Sequence, residues 1–170
     1  MSEPTAVNDL FKNGMRRLAS GVSVITAEYQ GIRGGLVATS VSSVSLKPPT
    51  LLVCVNENAS SHDLIKHAGA FCVNVLGCDA HHIAARFSTP KERHRRFEDS
   101  AWTSLETGAP ALAGALVSFD CKVSGTAKYG THTIFFGEIC HIELWSEDYD
   151  PLLYFDGGYK KLGNAMHDLV

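Results

Sequence analysis

The chain has no concentration of positive charge and no long apolar run. Lys and Arg total 15 against 18 Asp and Glu, for a formal net charge of −3. A nucleic-acid partner leaves a basic footprint, and only Lys91-Glu92-Arg93-His94-Arg95-Arg96 comes near one. That run contains an acid and is followed by Phe97-Glu98-Asp99. It reads as a solvated helical face, with the phosphate of a long cofactor as the alternative partner. No stretch approaches the ~20 apolar residues of a membrane span. The opening residues, MSEPTAVNDLFKNGMRRLASG, lack the basic start and apolar run of a secretion signal. The five cysteines (Cys54, Cys72, Cys78, Cys121, Cys140) are odd in number, and four lie in or beside apolar strand-like runs. Buried thiols in a reducing compartment look like this. The expectation is a cytoplasmic protein with neither nucleic-acid nor membrane partners.

The motifs of several common chemistries are missing too. Gln30-Gly31-Ile32-Arg33-Gly34-Gly35 is rich in glycine. A phosphate-binding glycine loop, however, follows a strand, opens a helix, and is spaced G-x-G-x-x-G or ends in Gly-Lys-Ser/Thr. This one joins two strands, which excludes a Rossmann fold and a P-loop. Ser40 and Ser45 lack the flanking glycines of a hydrolase elbow. Cys78 and His81 are separated by two residues, but no second pair supports them. Zinc sites need paired ligands in a fixed framework, so no metal is expected.

What is present suits one soluble globular domain spanning residues 1–170, with 45% hydrophobic and 19% charged residues. Val7, Leu10, Phe11, Gly14, Met15 and Leu18 recur at helical spacing, which predicts an amphipathic helix over about residues 6–19. Residues 22–29, VSVITAEY, read as a strand. The glycine turn then leads into a second strand at about residues 35–40. The unbroken apolarity of residues 51–55 suits a strand buried on both faces. Ser60 or Ser61 can cap a short helix that Gly69 ends. Residues 71–76 form the next strand, and Asp79 is placed to cap a helix through Ile83 and Phe87. Residues 102–114 read as a loop. Val117, Phe119, Cys121 and Val123 alternate with a wet face of Ser118, Asp120, Lys122 and Ser124. A turn at Gly130 opens a long strand over residues 132–144, with Ile134, Phe136, Cys140, Ile142 and Leu144 of one parity. The six or seven strands, mostly joined by turns, carry three or four short helices and show no β-α-β alternation. A mainly β, Greek-key antiparallel barrel with inserted helices fits best.

Residues 35–62 look most like a ligand cradle. The run Ala38-Thr39-Ser40-Val41-Ser42-Ser43-Val44-Ser45 is small and hydroxyl-bearing. Small side chains let backbone approach a flat ligand, and hydroxyls bond it without bulk. Pro48-Pro49 and an apolar strand follow, then the polar corner Asn56-Glu57-Asn58-Ala59-Ser60-Ser61-His62, which at a helix start can hold an anion. His132 can donate, accept and titrate. By spacing alone, though, it and Tyr159 are ordinary strand and tail residues.

Taken in order, four segments give the cradle a family. They are Leu18-Ala19-Ser20-Gly21-Val22-Ser23-Val24-Ile25-Thr26; the run from Ala38 through Ser45, Leu46 and Pro49; Phe71-Cys72-Val73-Asn74-Val75-Leu76 with Ala85-Arg86-Phe87-Ser88; and Gly130-Thr131-His132 with Phe136-Gly137-Glu138-Ile139 and the tail from Pro151 to Tyr159. Together they resemble the small flavin reductases that serve two-component flavin monooxygenases, a family with an FMN-binding split-barrel fold. The resemblance implies a homodimer in which each barrel binds FAD or FMN near the subunit interface. NADH, less often NADPH, reduces the flavin, which then passes to a separate oxygenase. By the same likeness Ala38, Thr39, Ser40 and Val41, with Ser42 beside them, line the isoalloxazine, and Ser45-Leu46 bonds its pyrimidine edge. The corner of Asn56, Ser60, Ser61 and His62 takes the ribityl-phosphate, and Arg86-Phe87 borders the phosphate or adenylate. His132, as the catalytic residue, and Tyr159 flank the nicotinamide. Asp156 stands where members often carry a basic residue, which disfavours NADPH. The rival reading is a flavin-binding electron carrier or oxidase-like module on the same barrel, without NADH reductase activity.

Overall fold

A seven-stranded antiparallel sheet built on three hairpins organises the computed structural model, which describes residues 4–98, 101–147 and 150–163. Helix α1 (Pro4–Met15) leads into β1 (Ser20–Gly21), β2 (Ser23–Tyr29), β3 (Ile32–Ala38), β4 (Val41–Leu46) and β5 (Pro49–Asn56). Next come α2 (His62–Ala68), β6 (Ala70–Val75) and α3 (His81–Ser88), with short 3-10 turns at Cys78–Ala80 and Pro90–Arg95 on either side of α3. The chain continues through β7 (Trp102–Ser104), β8 (Pro110–Leu112), β9 (Val117–Tyr129), β10 (His132–Leu144), β11 (Leu153–Phe155) and β12 (Gly158–Lys160).

Seven strands form one antiparallel sheet in the order β3-β2-β6-β9-β10-β5-β4. Its edge strands, β3 and β4, are consecutive in the chain and separated only by Thr39 and Ser40. Ile25 of β2, Ala38 of β3, Val53 of β5, Phe71 of β6 and Phe135 of β10 share one buried cluster with Ile65 of α2. The sheet therefore curls into a split barrel whose open seam falls at Thr39-Ser40. The β2–β3 turn is Gln30-Gly31 alone, with φ of 52° and 78°. Positive φ at both residues matches the twist of a two-residue hairpin.

Several expectations shift for physical reasons. Gly34 and Gly35 pair with Ala27 and Thr26 in β3 rather than sitting in the turn, and their neighbours on α2, α3 and β2 leave no room for a side chain. A Cβ at Gly34 would lie 2.5 Å from Leu64 Cδ2, and one at Gly35 would lie 2.6 Å from Ile25 O and 2.7 Å from Phe87 Cε1. In β5 only Leu51, Val53 and Val55 are buried, while Leu52 and Cys54 are half-exposed. The strands buried on both faces are β2 and β6, since α3 and β8 cover their outer side in a second cluster around Val24, Leu76, Ile83 and Phe87. Two-sided burial thus depends on what packs outside, which strand composition does not report.

The wet face expected on β9 is dry at Ser118 and Asp120, both fully buried. Asn74 Oδ1 accepts from Ser118 Oγ at 2.7 Å and from the Leu112 backbone N–H at 2.8 Å, and Asn74 Nδ2 donates to Val24 O at 3.2 Å. Asp120 accepts from the Thr107 N–H at 2.7 Å and from its hydroxyl. Burial is tolerated because every one of these groups is bonded. On β10 the buried parity is Thr133, Phe135 and Gly137, with Ile134 and Phe136 half-exposed outside. Register shifts that leave Ser124 of β9 and Cys140 of β10 unpaired change the facing along the hairpin. Residues 102–114 supply the short β7–β8 pair instead of a plain loop. Asp79 sits in the 3-10 turn, and the N-cap of α3 is Ala80. The first helix stops at Met15, and its apolar stripe is exposed, with Leu10 at 70% and Phe11 at 65%. Among the described residues no helix is long and apolar enough to cross a membrane.

All five cysteines are free, with Cys72 and Cys121 buried, and burial pushes both thiols up from their ordinary value. A thiol reagent is expected to leave Cys72 and Cys121 unmodified in the native protein and to reach all five cysteines in denaturant. Asn74→Ala strands the Ser118 hydroxyl and two backbone groups, and is expected to cost about 2–4 kcal/mol in denaturant titration. Gly137→Ala drives a methyl into the Phe71 ring and Cys121 Cβ. It should cost about 1–3 kcal/mol by overpacking.

Candidate functional site

Three adjoining cavities run along β3 beside the seam. The first, about 450 Å3, lies between Leu36 and Val37 of β3, Asn58 to Ser60 of the β5–α2 corner, and Phe87, Arg93 and Arg96. The second, about 210 Å3, shares Val37 and Ser88 with the first and is closed by Ala38, Thr39, Tyr154 and Tyr159. The third, about 230 Å3, shares Ser60, Arg93 and Arg96 with the first and reaches Arg33, Ser61 and Leu64. The groove is thus aromatic at one end and cationic at the other.

Local structure explains each wall. At the aromatic end, β11 and β12 form a hairpin whose turn, Asp156-Gly157, has φ of 49° and 77°. It brings the Tyr154 and Tyr159 rings to 5.8 Å in an edge-on arrangement. β1 pairs with β11 and ties this hairpin to the chain just before β2. The Tyr159 hydroxyl lies 3.4 Å from Ser88 Oγ, at the end of α3. Ile83, Ala84 and Phe87 anchor α3 in the second core cluster and so fix Ser88 in the groove wall.

The cationic end centres on Arg96, which is 7% exposed. Its guanidinium donates to Gly35 O at 2.8 Å and to Phe87 O at 3.1 Å, and lies 5.5 Å from the Phe87 ring centroid. Its Nε is buried without a hydrogen-bond partner. Burial, with the like charge of Arg93 added, pushes the Arg96 guanidinium down from the ordinary arginine value. Arginine does not give up its proton in a protein, and among the described residues no carboxylate pairs with Arg96. The solvated basic face expected from sequence is corrected here: Arg96 points inward while its neighbours face solvent. Its i, i+3 relation to Arg93, just after Ser88-Thr89-Pro90, is the signal that spacing carried.

The expected site residues divide. Ala38, Thr39 and Tyr159 meet at the aromatic end, Phe87 and Ser60 flank the first cavity, and Ser61 lines the third. Ser40 turns its hydroxyl to Cys54 O at 3.1 Å, tying the seam to β5. Val41 packs against the barrel core, Ser42 and Leu46 are exposed on the edge strand, and Ser45 Oγ accepts from Lys47 N. Asn56 Oδ1 accepts from the Asn58 N–H at 2.9 Å and shapes the corner. Arg86 donates to Arg95 O and Glu98 O, outside the three cavities. His132 is exposed at the start of β10, opposite Asn56, with Nδ1 3.0 Å from Thr131 Oγ1. It too lies outside the groove walls. Arg33, Ser88 and Tyr154 are groove residues that the sequence did not assign to a site, while Arg93 and Arg96 belong to the basic run for which a cofactor phosphate was the alternative partner.

His62 turns inward beneath the corner. Its Nε2 is 2.9 Å from Thr133 Oγ1, its Nδ1 is 3.0 Å from Asp63 Oδ1, and its ring meets Phe135 edge-on. It fastens the start of α2 to β10 and so holds the loop that carries Ser60. The hydrogen bond from His62 holds the Asp63 carboxyl below its ordinary value. Among the described residues no group of three or more His, Cys, Asp or Glu could hold a metal ion.

The groove fits a flat ligand with a phosphorylated tail. Small residues and tyrosines bound one end, and an orphaned buried N–H with two cations marks the other. Against known proteins, residues 15–163 match the family model described as a flavin reductase like domain. The FMN reductase (NADH) RutF of Pantoea ananatis is 41% identical over 152 residues, which cover 89% of this chain and 80% of that protein. BorF, the flavin reductase component of a bacterial two-component tryptophan halogenase, superposes with a TM-score of 0.84 and 30% identity, covering 93% of this chain and 99% of that one. An NADH:FAD oxidoreductase of Streptomyces globisporus, solved with NAD and FAD fragments, gives a TM-score of 0.85 at 28% identity, covering 96% of each chain.

In wild-type protein Asp63 should titrate below the usual aspartate value and move back up in His62→Ala, read by carboxyl NMR. A folded-state value that is depressed stabilises the fold above the unfolded value of 3.8 and loses that contribution as pH falls through the folded one. An acid-side denaturation profile should therefore flatten in His62→Ala.

Proposed function

The chain belongs to the flavin reductase like family, and on that premise we propose that it is an NADH-dependent flavin reductase supplying reduced FAD or FMN to a separate oxygenase. The observation that carries this reading is the groove, with its aromatic end at the seam and, at the other end, two arginines that no carboxylate pairs with among the described residues. The names of its relatives, NADH-dependent FMN reductases and the reductase component of a two-component halogenase, support it.

A bound flavin supplies the redox chemistry, accepting electrons from the nicotinamide. The protein's share is position and charge. Ala38 and Thr39 border the flat ring with little bulk, and Tyr154 and Tyr159 close the far side. Phe87 and Ser88 keep the middle narrow, and Ser60, Arg93 and Arg96 receive the phosphate. No residue needs to act as a nucleophile. His132, at the mouth of the β9–β10 hairpin, is proposed to face the nicotinamide, as the family resemblance implies.

The same reading extends to assembly. Leu52 and Cys54 of β5 and Ile134 and Phe136 of β10 form an apolar outer face, with the exposed stripe of α1 as further uncovered area. A second copy of the chain covering this face gives the proposed homodimer, and sedimentation tests it. The reading treats residues 1–170 as one domain in a reducing compartment, the cytoplasm, which the five free thiols support.

Purified protein mixed with NADH and catalytic FAD or FMN is expected to consume NADH, followed at the nicotinamide band. Flavin binding without NADH consumption would instead favour the carrier reading. His132→Ala should lower kcat/KM for NADH by about tenfold with flavin affinity retained. Unchanged NADH kinetics would remove His132 from the site.

A further inference from the structure

Helix α1 carries an apolar stripe that its own chain leaves uncovered. Val7, Leu10, Phe11 and Met15 recur at helical spacing and share one face. Every residue from 7 to 18 is exposed, Leu10 at 70% and Phe11 at 65%. An isolated helix of this length is marginal in water and is stabilised by packing its apolar face. The helix is anchored at its end, where Arg16 O accepts from the Asp156 N–H at 2.9 Å. A concave apolar surface stands open elsewhere on the same molecule. Val75 of β6, Leu116 and Val117 at the start of β9, and Leu144 and Trp145 at the end of β10 line a cleft of about 810 Å3, larger than each of the three groove cavities. The Trp145 indole N–H donates to Ser118 Oγ at 2.9 Å, which fixes the cleft wall, and Leu144 is 74% exposed at its lip.

The two features fit one another. A concave apolar groove takes the ridge of an amphipathic helix through anchors spaced i, i+3 and i+4, and Val7, Leu10 and Phe11 have that spacing. Charge agrees with shape. Lys12, Arg16 and Arg17 accompany the stripe, while Glu147 lines the cleft and Asp148 and Asp150 follow it in the chain. Opposite charge on two surfaces steers them together and sets their register. No described residue of α1 lines the cleft of its own chain. Deepening the homodimer reading above, on which it rests, we propose that two copies of the chain exchange α1, each laying Leu10 and Phe11 in the other's cleft against Leu144 and Trp145. A two-fold axis repeats the contact and closes the assembly at two chains. The exchange is separate from the meeting of the β5–β10 outer faces, and the two contacts can be told apart.

Sedimentation equilibrium compares the full-length wild type with the Leu10→Asp/Phe11→Asp and Leu144→Asp variants. Wild type is expected to be a dimer, and each variant to raise the dimer dissociation constant by about a hundredfold. All three side chains are exposed in the single chain, so far-UV circular dichroism should stay unchanged. A second measurement reads the contact itself. A chain carrying Phe11→Cys and a longer, tagged chain carrying Leu144→Cys are mixed and treated with a mild oxidant. The two thiols should lose their protons and two electrons to the oxidant and form a disulfide joining the two sizes of chain. Mixtures in which either chain is wild type should not give that product. Dimerisation of either aspartate variant at wild-type affinity, or no cross-link between the two chains, overturns the exchange and leaves the sheet-face homodimer standing. A wild-type chain that stays monomeric removes the homodimer and the exchange together. Neither measurement involves flavin or NADH, so the reductase reading stands or falls separately.

Discussion

Taking a charge out of water costs several kcal/mol per ion unless something charged replaces the water, and among the described residues no carboxylate meets the buried Arg96. What it has instead are two carbonyls, Gly35 O on the seam strand and Phe87 O at the end of α3. Those two bonds clamp α3 to β3 and fix the width of the groove between them. Gly35 is part of the same arrangement, because a Cβ there would strike Ile25 O and the Phe87 ring. Lining the groove and holding its walls apart are therefore one task.

The seam gives this clamp its place. A seven-stranded sheet that curls on itself must leave its two edges somewhere, and here the edges are β3 and β4, joined by Thr39 and Ser40. Ser40 bonds to both backbone groups of Cys54, so the crossing is held from the β5 side. Among the described residues the outer edges of β3 and β4 have no sheet neighbour, which suits them to meet a ligand. His62, reaching from α2 to Thr133, ties the corner on the opposite side to the β9–β10 hairpin. The groove is bounded by elements far apart in sequence, and buried hydrogen bonds from Arg96 and His62 tie α3 to β3 and α2 to β10.

Much of this was legible in the sequence. The long β10 and the helix ended by Gly69 follow from periodicity and turn chemistry, and the ordered segments pointed to the split barrel. Burial direction was harder to read. Period 2 identifies a strand but not which face has cover, so the dry Ser118 and Asp120 and the inward Phe135 needed the packing of β6, β8 and α3 to explain them. The basic run was ambiguous for a similar reason. A 3-10 turn sends Arg96 inward while Arg95 stays with its glutamates, and composition alone cannot separate two adjacent arginines with opposite fates. His62 was expected on the cofactor side of the corner, yet the hydroxyl of Thr133, 71 positions along the chain, draws it beneath.

The account rests on the groove along β3 being where the flavin lies. A crystal structure of the protein soaked with FAD tests this most directly. The predicted result is the isoalloxazine against Ala38 and Thr39 with Tyr154 and Tyr159 beyond it, and phosphate oxygens within hydrogen-bond distance of Arg93 and Arg96. Flavin density elsewhere, such as in the apolar cleft between Leu116, Val117 and Trp145, with the β3 groove left as solvent, would contradict it.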